Sequence, residues 1–250
     1  MRMAGRSVFV TGGGSGLGAA TALRMAEEGA KVALADLDLP KAEAVAAEIR
    51  AAGGEAVALS ADVTDSASLG RAAEEAERIL GHLDTVFAAA GITVNGDPVS
   101  MSEEDWDRVI AINLKGVFLT CKHTIPALER AGGGSIVLAG SITSFTGRSL
   151  SCAYAASKSA LRTFARNLAL KWAGIPIRVN LVCPGHCETP LVRRLFEQSP
   201  EVRAALLESY PMGRFAREIE IANAALFLAS HEASFVTGTE LVVDGGFLAQ

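Results

Sequence analysis

Short apolar runs alternate with amphipathic stretches along nearly the whole chain, and this alternation decides the fold class. The apolar runs fall at 7–11, 32–36, 55–60, 85–89, 135–139, 177–183 and 241–243. They are near-continuous in Val, Ile, Leu and Ala, as strands buried on both faces are. Helical patterns lie between them at 16–28, 41–52, 67–80, 103–130 and 152–172. This order predicts an α/β fold with a parallel sheet covered by helices on both faces. Ligands in such sheets bind beyond the carboxyl ends of the strands. With 250 residues, half of them hydrophobic, the chain can build one sizeable core, so a single domain over 1–250 is expected. The stretch after Pro184 breaks the alternation and is too long for an ordinary connection. A substrate lid near 186–214 is expected there.

A formal charge of −5 and the lack of any Lys/Arg cluster argue against a nucleic-acid partner. No apolar run is long enough to span a bilayer, and the N-terminus enters the first strand without the apolar stretch of a signal peptide. The expectation is a soluble cytoplasmic protein with no membrane partner. In a reducing compartment the four cysteines, Cys121, Cys152, Cys183 and Cys187, read as small apolar residues. Cys183, His186 and Cys187 lie close together, but a Pro-Gly corner separates them and no fourth ligand follows at zinc-like spacing. No metal is expected.

TGGGSGLG at 11–18 joins the first strand to the first helix. Glycines there let backbone amides approach a pyrophosphate, and the helix N-terminus adds partial positive charge. The pattern is Thr-Gly-x-x-x-Gly-x-Gly, with Gly12, Gly16 and Gly18, and the segment includes Ser15 and Leu17. It lacks the Gly-Lys-Ser/Thr ending of a nucleoside-triphosphatase loop. Asp36 ends the second strand about 20 residues later, where a carboxylate accepts from both ribose hydroxyls and repels a 2′-phosphate. No base follows it, since Leu37, Asp38 and Leu39 come next. NAD is therefore expected over NADP.

Tyr154 and Lys158 stand four apart in YAASK, on one face of the helix expected at 152–172. An ammonium beside a phenol favours the phenolate, which a tyrosine acting as acid/base near neutral pH requires.

Taken together, these residues resemble the short-chain dehydrogenase/reductase family across essentially the entire chain. The resemblance is carried by TGGGSGLG, Asp62-Val63, IAINLKGVF at 110–118, Ser141, YAASK, IRVNLVCPG at 177–185, Thr189, PMGR at 211–214 and FVTGTELVVDGG at 235–246. It implies a Rossmann-like, doubly wound, seven-stranded parallel sheet and reversible hydride transfer between a nicotinamide and an alcohol or carbonyl. By resemblance Tyr154 is the acid/base, and Lys158 holds the nicotinamide ribose and lowers the tyrosine's pKa. Ser141 orients the substrate oxygen, and Asn113 positions a water in a proton relay. Asp62 and Val63 seat the adenine, Leu37 lies beside the Asp36 site, and Ala90 and Gly91 close the fourth strand near the cofactor. Pro184 and Gly185 face the nicotinamide, with Thr189 bonding its carboxamide or a phosphate. One departure is Ala88-Ala89 where the family commonly has Asn-Asn, which removes a side-chain tie between neighbouring backbones.

The expected substrate is a neutral secondary alcohol or ketone, with Ser141, Thr143, Cys152, Tyr154 and His186 in its pocket. Arg148, Arg193 and Arg194 are the cations within reach of that pocket. A 3-oxoacyl carrier-protein reductase is the closest alternative, and Asp36 counts against its usual NADPH. A non-catalytic nicotinamide-binding regulator is disfavoured by the intact Ser/Tyr/Lys/Asn set. A homotetramer built on helices near 103–130 and 152–172 is the expected assembly.

Overall fold

The computed structural model describes residues 1–188 and 200–250, without the side chains of Pro200 and Val202. Seven strands form one parallel sheet in the order β3-β2-β1-β4-β5-β6-β7. They are β1 (Ser7–Thr11), β2 (Lys31–Asp36), β3 (Glu55–Ser60), β4 (Thr85–Ala88), β5 (Gly134–Ala139), β6 (Ile177–Pro184) and β7 (Glu240–Val243). Every residue of β1 and β4 is buried, because helices cover both faces of the sheet.

Alternate residues of each strand feed two separate cores, as the pleat requires. Phe9, Val86, Ile136 and Val179 point to one face with Leu69, Leu128 and Leu161. These last three come from α3 (Ser66–Leu80), α5 (Gly116–Arg130) and α6 (Cys152–Trp172). Val8, Val10, Phe87, Val137 and Val182 point to the other face with Met25, Ile49 and Leu226. Those belong to α1 (Gly16–Glu27), α2 (Leu39–Ala51) and α8 (Glu218–Ala229). Short polar caps set the helix starts. Asp65 accepts from the Ala67 N–H, Ser102 from Asp105 and Ser151 from Tyr154.

The helix expected over 103–130 is not uniform. It comprises α4 (Glu103–Ile110), one widened π turn at Ala111–Lys115, and α5. Such turns recur at functional sites, and this one holds Asn113. A helix α7 (Pro200–Glu208) precedes the segment that returns the chain to α8. Of the expected lid, residues 189–199 lie outside the described residues, as do Arg193 and Arg194. No described helix is long and apolar enough to cross a membrane.

Candidate active site

The strand order reverses between β1 and β4, and the loops leaving these two strands touch at that point. Gly12 follows β1 at φ +68°, and a Cβ on it would lie 2.9 Å from the Cα of Ala90. A Cβ on Gly18 would lie 2.0 Å from the Gly12 carbonyl oxygen, so α1 is packed against the turn with no room for a side chain. Gly16 has φ +53°, which favours glycine. Ser15 caps α1 in extended backbone without a side-chain bond to the helix amides. Leu17, in the first turn of α1, packs on the core.

Asp36 at the end of β2 accepts from the Gly14 N–H and the Asp38 N–H, each at 2.9 Å. Its carboxylate is thereby fixed on the rim of the glycine turn, with Leu37 exposed beside it. Sequence reasoning passed over Lys41. A Cβ on Gly14 would come within 2.9 Å of Lys41 Cβ, while the Lys41 ammonium pairs with Asp38 at 2.5 Å. Asp62 accepts from both the backbone and the hydroxyl of Thr64, at 2.8 and 2.7 Å. Val63 presses on Gly116, where a Cβ would lie 2.9 Å from Val63 Cγ2. Gly91 is equally confined, since its Cβ would lie 3.3 Å from Asn113 Oδ1 and 3.6 Å from Lys158 Nζ.

Tyr154, Lys158, Ser141 and Asn113 converge beside Gly91. Tyr154 and Lys158 share a face of α6, with Nζ 5.7 Å from the phenol ring centroid. Lys158 is buried and donates to the Ala139 carbonyl at 2.7 Å. Burial lowers its pKa to about 8, partly offset by Cys183. The expectation that the ammonium pulls Tyr154 down is corrected. Burial holds the phenol above its ordinary value, and a hydrogen bond with the Ser141 side chain works the other way. The Lys158 amine is turned to the Ala139 carbonyl. Ser141 Oγ also accepts from the Thr143 N–H at 3.2 Å. Cys183, which the sequence marked only as apolar, is buried under this group. Burial pushes its thiol up to about 12, opposed by the Ser141 backbone N–H.

On the substrate side, Thr143 follows Ser141 in a short turn at Ile142–Ser144, and its hydroxyl has no partner among the described residues. Cys152 opens α6 and lines a cavity of about 480 Å³ with Asp97, Pro98, Ser149 and Leu150. Pro184 is buried at the end of β6, and a Cβ on Gly185 would lie 3.1 Å from both Asp244 Cα and Tyr210 Oη. His186 follows, packed among the aromatic rings of Tyr210 and Phe215. From sequence, Tyr210 is expected only as part of the lid near 186–214. Thr189 lies outside the described residues.

A family model described as enoyl-(acyl carrier protein) reductase matches residues 12–248. The chain is 42% identical over 246 residues to a 2,5-dichloro-2,5-cyclohexadiene-1,4-diol dehydrogenase of Sphingobium indicum, covering 98% of this chain and 97% of the relative. The chain belongs to the short-chain dehydrogenase/reductase family. This short-chain dehydrogenase/reductase is also 42% identical over 245 residues to a cis-4-hydroxycyclohexanecarboxylate dehydrogenase of Sinomonas cyclohexanicum, covering 98% and 97% of the two chains. A crystal structure of a dehydrogenase/reductase from Sinorhizobium meliloti 1021 superimposes with a TM-score of 0.91 at 34% identity, covering 98% of this chain and 95% of that one. The family is one of nicotinamide-dependent enzymes, and this member is an oxidoreductase of the alcohol–ketone couple.

Proposed function

We propose that this short-chain dehydrogenase/reductase uses NAD and interconverts a cyclic secondary alcohol with its ketone, with Tyr154 as acid/base. The observation that carries the reading is the convergence of Tyr154, Ser141 and Lys158 beside Gly91, at the sheet's switch point. The glycine turn supports the cofactor half. Gly12 and Gly18 leave no space for side chains, and the α1 amides lack a side-chain cap, which suits a pyrophosphate. Asp36 supports NAD over NADP, because a carboxylate held by two backbone amides accepts ribose hydroxyls and repels a phosphate. Lys41 does not reverse this, being paired with Asp38.

A bound nicotinamide supplies the hydride acceptor for oxidation and the donor for reduction. The remaining work falls to the chain. Tyr154 takes the hydroxyl proton as the carbinol carbon loses hydride, and returns it to the carbonyl oxygen in the reverse direction. Ser141 donates to the same oxygen as a fixed dipole. Lys158, on the same face of α6 as the phenol, would hold the nicotinamide ribose. Asn113 ties the floor of the site to α6. Two ring-alcohol dehydrogenases among the relatives support a cyclic substrate.

Exposed Phe118 on α5 and Leu170 on α6 support the homotetramer, and sedimentation velocity tests it. The functional test is a panel of cyclic and acyclic secondary alcohols with NAD and NADP, followed by absorbance of the reduced nicotinamide. Turnover of ring alcohols with NAD is expected. Exclusive use of NADP, or activity confined to acyl carrier-protein thioesters, would overturn the reading.

A further inference from the structure

His186 and Tyr210 form a hydrogen-bonded pair whose proton positions follow from donor arithmetic. The Tyr210 hydroxyl lies 2.7 Å from the backbone nitrogen of His186 and 2.6 Å from its ring Nδ1. A backbone amide only donates, so one lone pair of the phenol oxygen is taken by the His186 N–H. The Tyr210 ring is buried, and its oxygen has no further hydrogen-bond partner among the described residues. If Nδ1 carried a proton, it too would donate to Tyr210, and the phenol's own proton would be orphaned inside the protein, which is costly. The phenol therefore donates to Nδ1, and the imidazole proton sits on Nε2.

Burial supports the same assignment from the titration side. It holds His186 below its ordinary pKa, which favours the neutral ring. It also pushes Tyr210 up to about 12, against the His186 backbone bond and with help from Asp244, so the phenol keeps its proton.

Nε2 lies across the ring from Nδ1, so its N–H points away from Tyr210. It makes no hydrogen bond to any described residue, although the ring is only partly buried. Among the described residues, aromatic rings stand around the pair. Phe215 stands 6.0 Å from the imidazole and 5.2 Å from the Tyr210 ring, and Phe247 stands 5.1 Å from Tyr210. An unused donor in an aromatic wall, one residue past Gly185 at the carboxyl edge of β6, is placed to select a ligand by one polar contact.

We infer that Tyr210 is a positioning residue that locks His186 as the Nε2–H tautomer, and that this donor recognises a second oxygen on the substrate ring. The substrate class is thereby narrowed from ring alcohols to ring alcohols carrying a further hydroxyl, carbonyl or carboxylate. This rests on the proposed alcohol dehydrogenase activity, but the tautomer can be tested without it.

The first measurement is ¹⁵N NMR of the histidine-labelled protein, with His186 assigned by its loss in His186→Gln. A protonated Nε2 and a bare Nδ1 are expected near pH 7.5, and the opposite tautomer overturns the inference whatever the enzyme turns over. The second compares KM for cyclohexane-1,2-diol and cyclohexanol in the wild type and in Tyr210→Phe. The wild type should favour the diol, and Tyr210→Phe should shrink that preference about fivefold, as loss of one hydrogen bond does. His186→Gln, which keeps a donor at similar reach, should retain more of the preference than His186→Phe. An unchanged KM ratio in Tyr210→Phe overturns the substrate contact, and so does an effect confined to the KM for NAD. A wild type that oxidises neither alcohol refutes the functional reading and leaves the tautomer to be decided by the spectrum.

Discussion

Asn113 and Ile92 exchange two hydrogen bonds. The carboxamide oxygen accepts from the Ile92 N–H at 2.8 Å, and Nδ2 donates to the Ile92 carbonyl at 2.8 Å. Nδ2 also reaches Ser157 Oγ at 3.3 Å, and that hydroxyl donates to the Tyr154 carbonyl at 2.8 Å. The side chain therefore splices the loop after β4 to α6, the helix that carries Tyr154. It supplies a tie in the region where Ala88-Ala89 leaves one out. Asn113→Leu should strand the Ile92 amide and carbonyl, and lower stability by about 2–4 kcal/mol. Urea denaturation measures it, and a loss below about 0.5 kcal/mol would remove the splice from the account.

The proposed preference for NAD rests on Asp36. Asp36→Ala should lower kcat/KM for NAD by roughly ten- to a hundredfold, as the loss of charge-assisted hydrogen bonds does. Asp36→Ala combined with Leu37→Arg should turn the preference toward NADP, since it replaces a repelling charge with an attracting one. Initial rates with both cofactors on one alcohol decide this. Unchanged discrimination would move the ribose site elsewhere.

How far such roles were legible in the sequence depends on how local their causes are. β5 announces itself because Ser135–Ala139 is an apolar run bounded by glycines, and β1 leads directly into the glycine turn. The Tyr154–Lys158 pairing was readable because helical spacing alone puts the two on one face. The π turn was not, since IAINLKGVF keeps a helical pattern through Asn113 and nothing local reports the widened turn. The direction of the Tyr154 shift was hidden for another reason. It depends on burial, and on Ser141 and Cys183, which only the fold brings to the phenol. Tyr210 and His186 lie 24 residues apart, so only the fold brings them together.

Gly18 tests the cradle sterically. A Cβ there would collide with the Gly12 carbonyl oxygen, a backbone atom with no freedom to swing aside. Gly18→Ala should weaken NAD binding at least tenfold, about 1.4 kcal/mol, and lower the melting temperature. Calorimetric titration with NAD measures the first. Wild-type affinity would mean that α1 packs against the turn less closely than described.

Lys158 makes a pH prediction. Its pKa falls from an ordinary 10.5 to about 8 through burial, equivalent to roughly 3 kcal/mol of cost for the buried ammonium. Below pH 8 folded and unfolded chains both carry the proton, and the cost is fully present. Between pH 8 and 10.5 the unfolded chain binds more protons, so stability rises relative to a chain lacking the amine. Cys121 and Tyr210, both pushed up to about 12, contribute the opposite trend. That trend is common to wild type and Lys158→Met and drops out of the difference. The stability of wild type minus that of Lys158→Met should therefore climb from pH 8 to 10.5 in denaturant titrations, and a flat difference would contradict the buried-ammonium description.

The central claim is that the Tyr154 phenol moves the proton that hydride transfer requires. Tyr154→Phe removes one oxygen atom and keeps the ring. Turnover of a ring alcohol with NAD, measured by nicotinamide absorbance, should fall by roughly 10²–10⁴-fold, while NAD affinity by calorimetry stays within about twofold, because the pyrophosphate and Asp36 contacts are untouched. Turnover within about threefold of wild type, well short of the loss expected for a general acid/base, would contradict the account.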